Sequence, residues 1–201
     1  MSVDIREEAL TLAALSEHAV IPIAFVVDRV LEVRLLDGGL SGMSLTEAAV
    51  TDPYVKDYDA LEGAWPQHWP GRFDVSHWVL IGARRDGASV GGAVIASKTP
   101  GLHMLGGRDD VAVLWDIRVS PRERGGGIGS ALFRAAGGWA GARGFRWLKI
   151  ETQNVNVPAC RFYQKMGCAL GAIDRFAYPG QPAEVQLLWW KALVSPDTNS
   201  S

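Results

Sequence analysis

Between Val111 and Gln153 the chain reads as strand, glycine turn, helix, strand, and this succession limits the folds open to it more than any other stretch. VAVLWDIRVS is a nearly uninterrupted apolar run, the composition of a strand covered on both faces. RERGGGIGS follows, after which Ile128, Leu132, Ala135, Trp139 and Ala142 recur at helical spacing up to a terminating Gly144. WLKIETQ closes the segment as a second strand. A strand, a helix and a strand joined this tightly make a right-handed crossover between parallel neighbours.

The flanks predict antiparallel partners. HWVLIGARR and ASVGGAVIAS enclose Asp86-Gly87, the signature of a hairpin. Asn156, Pro158 and Gly167 bracket a short helix as cap, first-turn proline and terminator. CALGAIDRFAY and EVQLLWWKAL follow as strands. Upstream, Ile5, Ala9, Leu12 and Leu15 predict a helix over 4–18 capped by Asp4, and Ile21 to Leu35 predicts a strand. Residues 38–71 predict short helical turns punctuated by Gly, Pro and Trp. The expected class is α/β (α+β), with a mixed central sheet of about six or seven strands and helices on both faces. One domain is expected over 1–194, with a polar, mobile tail over 195–201.

Composition removes several functions. A formal net charge of −2 offers no basic stripe for nucleic acid. Cys160 and Cys168 form no CxxC pair, so neither zinc nor a disulfide framework is indicated, and both fit as small buried apolar residues. The N-terminus carries acids where a signal peptide needs bases, and no apolar stretch is long enough for a membrane span. The expectation is a soluble, cytoplasmic protein with no nucleic-acid or membrane partner and no metal.

Four glycines and two arginines at a helix start suit a phosphate. A P-loop needs Lys followed by Ser or Thr, and here Ser130 follows Gly129 directly. Gly125, Gly127 and Ser130 nearly imitate a dinucleotide fingerprint, with Glu151 near the place of a ribose-binding acid, but such a unit normally opens its domain. Arg124, Gly127 and Gly129, after Val119-Ser120-Pro121, resemble instead the loop of the GNAT superfamily of acetyl-CoA-dependent N-acetyltransferases. NVNVPACRFYQKMGC, residues 154–168, resembles the second signature of that superfamily. The resemblance covers residues 77–193, and residues 1–76 match it only loosely as an acceptor-side region. LWDIRVSP, KIETQNVNVPACRFYQKMGC and GAIDRFAYP with EVQLLWWK resemble, within it, the streptothricin acetyltransferases, which acetylate a β-lysine amine of a cationic antibiotic.

The resemblance implies a fold whose fourth and fifth strands splay to admit acetyl-CoA. It implies contacts from Ile117, Arg118 and Val119 to the pantetheine arm. Arg124, Gly125, Gly126, Gly127, Ile128, Gly129 and Ser130 would surround the pyrophosphate, with Asn156 and Ala159 bordering the cofactor. Tyr163 would protonate the leaving thiolate, and Asp116 or Glu151 would act as base, the choice between them being open. Asp57, Asp59, Glu62, Trp65 and Trp78 are candidates for the wall of a cationic acceptor pocket, or else core tryptophans and a solvated face. A homodimer is a further implication. Two other functions stay open: acetylation of a protein lysine, an N-terminal amine or another metabolite, and a non-catalytic acyl-CoA-binding module.

Overall fold

The computed structural model describes residues 2–61 and 63–193, so Glu62 and the tail expected over 195–201 lie outside the described residues. In chain order the elements are β1 (Asp4–Glu8), α1 (Leu12–Ala19), β2 (Phe25–Leu35), β3 (Met43–Lys56), α2 (Trp69–Arg72), β4 (Val79–Arg85), β5 (Ala88–Ala96), β6 (Val111–Val119), α3 (Ile128–Ala142), β7 (Trp147–Gln153), α4 (Val157–Lys165), β8 (Ala169–Asp174) and β9 (Gln186–Ala192). Seven strands form a mixed sheet of order β1-β4-β5-β6-β7-β9-β8, and β2 with β3 form a two-stranded sheet. The chain divides into two compact units. The first takes the described residues of Met1–Ile23, Tyr58–Ile150 and Trp190–Ser201, the second Ala24–Asp57 and Glu151–Trp189.

In the first unit, β4 and β5 form the expected hairpin, with Asp86 and Gly87 at φ 51° and 84° as a primed two-residue turn demands. Adjacent glycines in β5 show how closely the helices approach. A Cβ on Gly91 would lie 3.2 Å from Leu132 of α3, and one on Gly92 would lie 2.6 Å from Nδ1 of His18 of α1. Consecutive residues of a strand face opposite ways, so α1 and α3 cover opposite faces of β5. On the α1 side the core gathers Leu15, Trp69, Trp78, Leu80, Val94 and Val113. Trp115 meets Trp69, Phe73 and Trp78 with ring centroids 6.2, 5.3 and 5.3 Å apart. The buried face of α3 is Ile128, Leu132, Phe133, Ala136 and Ala140, whereas Ala142, expected on it, is exposed.

Two expectations are corrected. Residues 4–8 are a strand, not the start of a helix: β1 pairs antiparallel with β4 from Asp4↔Arg84 to Glu8↔Leu80. The helix begins only after Thr11, whose side chain accepts the Ala14 N–H at 3.1 Å. Pairing with a distant edge strand thus overrides a local spacing that also fits a helix. Residues 43–56, expected as helical turns, are the 14-residue strand β3. Good helix formers in TEAA mislead there, and Pro53 is tolerated because register with β2 is interrupted between Ala49 and Tyr54.

In the second unit, β3 is paired antiparallel with β2, and Asn154 fastens β2: its Nδ2 donates to the Leu31 carbonyl at 3.1 Å and its carbonyl accepts the Leu31 N–H at 3.0 Å. Its Oδ1 also accepts the Val185 N–H at 2.8 Å. Lys56 Nζ donates to Gln181 Oε1 at 2.6 Å and to Glu184 Oε1 at 2.5 Å. Among the described residues no helix is long and apolar enough to cross a membrane. Cys160 and Cys168 are both buried.

Candidate active site

Strand β6 uses its two edges differently. Its pairing with β7 is parallel and runs from Val111↔Trp147 to Leu114↔Ile150. Its pairing with β5 continues to Gly91↔Val119, with a register shift that leaves Trp115 as a bulge. Ser120 N–H donates to the Val90 carbonyl at 2.9 Å, which sets the parity of this end of the ladder. Arg118 and Asp116, two and four residues back, then turn their backbone groups toward β5, while Ile117 and Val119 turn theirs to the other edge. There the Val119 carbonyl accepts from Arg124 Nε at 3.1 Å.

The loop after β6 leaves a run of backbone donors open at a helix start. A 3₁₀ turn over Pro121–Glu123 leads into Gly125 and Gly127 at φ 82° and 85°, a left-handed conformation that glycine adopts without strain. Gly127 caps the 15-residue helix α3 with no side-chain hydrogen bond, so the N–H groups of Ile128, Gly129 and Ser130 have no intrahelical acceptor. A Cβ on Gly125 or Gly127 would meet nothing within 4 Å, so the space before these N–H groups is open. Exposed Arg122 and Arg124 add positive charge, and Arg124 is anchored by Nη2 to the Pro22 carbonyl at 3.1 Å. Converging donors, a helix dipole and two guanidinium groups fit a pyrophosphate.

Asp116 lies in the same unit but in a different environment. His18 Nε2 is 2.8 Å from its Oδ1, and Arg118 donates to it from Nε at 3.0 Å and from Nη2 at 3.0 Å. Arg118 also grips Asp59 with Nη1 and Nη2 at 2.6 and 2.8 Å and donates to the Ile21 carbonyl at 3.2 Å. The side chains of His18, Asp116 and Arg118 are 2%, 7% and 1% exposed. Burial works to raise the Asp116 carboxyl, but the His18 ring and the Arg118 guanidinium outweigh it and hold the group at about 2. Burial likewise opposes the charge of Arg118, yet Asp116 and Asp59 hold that charge more firmly than in water. Arg118 therefore has its backbone turned to β5 and its side chain locked between two aspartates, one of them the Asp59 expected to line an acceptor pocket. Trp78, expected in the same wall, is a core residue whose indole donates to Thr99 Oγ1 at 2.7 Å. Trp65 and Asp57 are exposed.

The second unit carries a carboxylate of another kind. Glu151, half-buried on β7, accepts from the Tyr178 hydroxyl at 2.6 Å, and Gln153 Nε2 donates to that hydroxyl at 2.8 Å. Thr152 between them faces the other way and accepts from the Trp189 indole at 2.9 Å. Asn156 caps α4 by accepting the Ala159 N–H at 3.2 Å. Tyr163 is buried one turn further on, its ring 5.2 Å from that of Phe162. Burial pushes the Cys160 thiol up, away from a nucleophilic role.

Sequence reasoning missed His18, Gln153 and Tyr178. His18 is a lone histidine whose partner lies 98 residues away, so no local signal marks it. Tyr178 falls beyond β8, in a connecting segment rather than in the strand expected to contain it.

A strand whose ladder with β7 stops at Leu114 while it continues beside β5, followed by a glycine loop that fits a pyrophosphate, suits an enzyme that uses an acyl-CoA. The chain belongs to the acetyltransferase (GNAT) family, whose model matches residues 44–168. Its members move an acetyl group from acetyl-CoA to an amine nitrogen. The chain is 30% identical over 169 residues, 83% of its length and 84% of the relative's, to a streptothricin acetyltransferase of Escherichia coli. Its fold matches nourseothricin acetyltransferase with a TM-score of 0.74 at 25% identity, covering 96% of this chain and 100% of that one. It also matches, with a TM-score of 0.72 at 25% identity over 95% and 99% of the chains, a Bacillus anthracis str. Ames protein solved in complex with acetyl coenzyme A.

Proposed function

We propose that the protein transfers acetyl from acetyl-CoA to a primary amine of a small cationic acceptor, a streptothricin-type antibiotic acetylated on its β-lysine. The likeness to a streptothricin acetyltransferase over 83% of the chain carries the choice of acceptor. The glycine cradle and the free edge of β6 support the cofactor.

Acetyl-CoA, when bound, supplies an acetyl group as a reactive thioester. Ile117 and Val119 offer backbone groups to the pantetheine arm, and one such N–H serves as the donor for developing oxyanion charge. Arg124 with the loop Gly125 to Ser130 neutralises the pyrophosphate, while Asn156 and Ala159 border the cofactor. An alkylammonium has a pKa near ~10.4 and cannot attack before losing a proton. Glu151 takes that proton, directly or through water. A carboxyl held at about 2 is too weak a base for this work, which favours Glu151 over Asp116. Tyr163 provides a phenolic proton for the sulfur that departs. Asp57 and Trp65 are the exposed candidates for holding the cationic acceptor.

Thiol release from acetyl-CoA, measured with streptothricin beside polyamines, aminoglycosides and lysine peptides, tests the proposal. Efficient turnover confined to streptothricin, with a product carrying one added acetyl group, is the expected result. Turnover confined to another amine would reassign the acceptor.

A further inference from the structure

Glu151 is one member of a short chain of hydrogen bonds within the second unit. Gln153 and Glu151, two apart on β7, point to the same face of the strand. The Tyr178 hydroxyl bridges them, accepting from Gln153 Nε2 at 2.8 Å and donating to Glu151 Oε1 at 2.6 Å. The order of donors is forced, because an ionised carboxylate only accepts and a phenol has a single proton to give. Gln153 thus occupies a lone pair of the phenol and aims its proton at Glu151. Among the described residues, the other carboxylate oxygen, Oε2, takes no protein hydrogen bond. Tyr178 is itself placed by a turn in which its carbonyl accepts the Gln181 N–H at 2.9 Å.

We propose that Tyr178 is a positioning residue for the acetyl transfer: steered by Gln153, its phenol immobilises Oε1 of Glu151 and presents Oε2 to the acceptor amine. This rests on the assignment of Glu151 as the base. A phenol suits the task because it stays protonated near neutral pH and brings no positive charge. It orients the carboxylate while leaving its negative charge uncompensated, available to draw in an ammonium group. A cation in its place would hold the carboxylate as firmly but compete with the acceptor for it.

The test is a double-mutant cycle of Tyr178→Phe and Glu151→Gln, read in kcat, in KM for acetyl-CoA and in Tm, with the amine that turns over as acceptor. Tyr178→Phe is expected to lower kcat about tenfold or more, the size of a hydrogen bond to a charged group. KM for acetyl-CoA and Tm should stay at their wild-type values. In the Glu151→Gln background the same substitution should cost no more than about twofold, because the oriented carboxylate is already gone. Gln153→Met, which keeps volume but loses the donor, should lower kcat by a smaller factor. A slow Glu151→Gln enzyme beside a Tyr178→Phe enzyme of wild-type kcat would overturn the positioning role alone. So would an undiminished Tyr178→Phe loss in the Glu151→Gln background. Wild-type kcat in Glu151→Gln would instead remove the base assignment, and the positioning role with it.

Discussion

Asp116 in the first unit and Glu151 in the second are both carboxylates on central strands, and they differ in what surrounds them. Asp116 is buried against a histidine and an arginine, its charge fixed and its lone pairs taken by His18 and by Arg118, which itself grips Asp59 and the Ile21 carbonyl. Glu151 is half-buried and held by a neutral phenol on one oxygen. A guanidinium beside it turns a carboxylate into a structural pin, whereas a neutral donor orients it and leaves its charge usable. The strand position alone therefore does not make a base. The partners that distant segments bring to it decide its role.

The largest expected effect on stability comes from removing the pin. Arg118→Met leaves Asp116 and Asp59 without their shared guanidinium, and breaking a buried pair in this way costs about 3–5 kcal/mol. Urea unfolding near neutral pH measures it, and a loss below about 1 kcal/mol would dissolve the contrast drawn between the two carboxylates.

Acid sharpens the same contrast. The folded Asp116 carboxyl titrates at about 2 against an ordinary value of 3.8. Because the folded value is depressed, its stabilisation is fully present above the unfolded value and is lost as pH falls through the folded one. Linkage makes this about 2 kcal/mol, disappearing between roughly pH 4 and pH 2. Urea midpoints across that window should fall in the wild type, and the part of the fall due to this group should vanish in Asp116→Asn.

The smallest stability effect concerns the cradle. Gly127→Ala places a side chain at φ 85° and should cost about 1–2 kcal/mol. The added methyl also projects into the open space before the α3 amides, so KM for acetyl-CoA should rise while kcat holds. A change in kcat with KM constant would argue against the cradle as a cofactor site.

Elements whose cause is local were legible in the sequence. The hairpin at Asp86-Gly87, the apolar strand β6, the glycine start of α3 and the capped helix α4 each follow from residues within a few positions of one another. Strands β1 and β3 were not, because their stability lies in pairing with β4 and β2, from Asp4↔Arg84 and from Phe25↔Lys56, while their own spacing and composition also suit helices. The glycine loop could be placed from motif order and Glu151 and Asp116 offered as alternative bases, but the surroundings that separate the two carboxylates could not be read. His18, Arg118 and Asp59 converge on Asp116 or on one another only after α1, β6 and the segment following β3 have been brought together. Tyr178 was hidden for a similar reason, since a tyrosine in a connecting segment carries no pattern until its partner on β7 is known.

The most direct test of the account is Glu151→Gln, assayed for acetyl transfer from acetyl-CoA to streptothricin. Loss of the base is expected to lower kcat/KM by about 10²–10⁴. KM for acetyl-CoA should stay within about twofold, since nothing assigned to the cofactor is altered, and Tm should remain that of the wild type. A variant that folds, binds acetyl-CoA and acetylates at the wild-type rate would contradict the account and return the proton transfer to water or to another group.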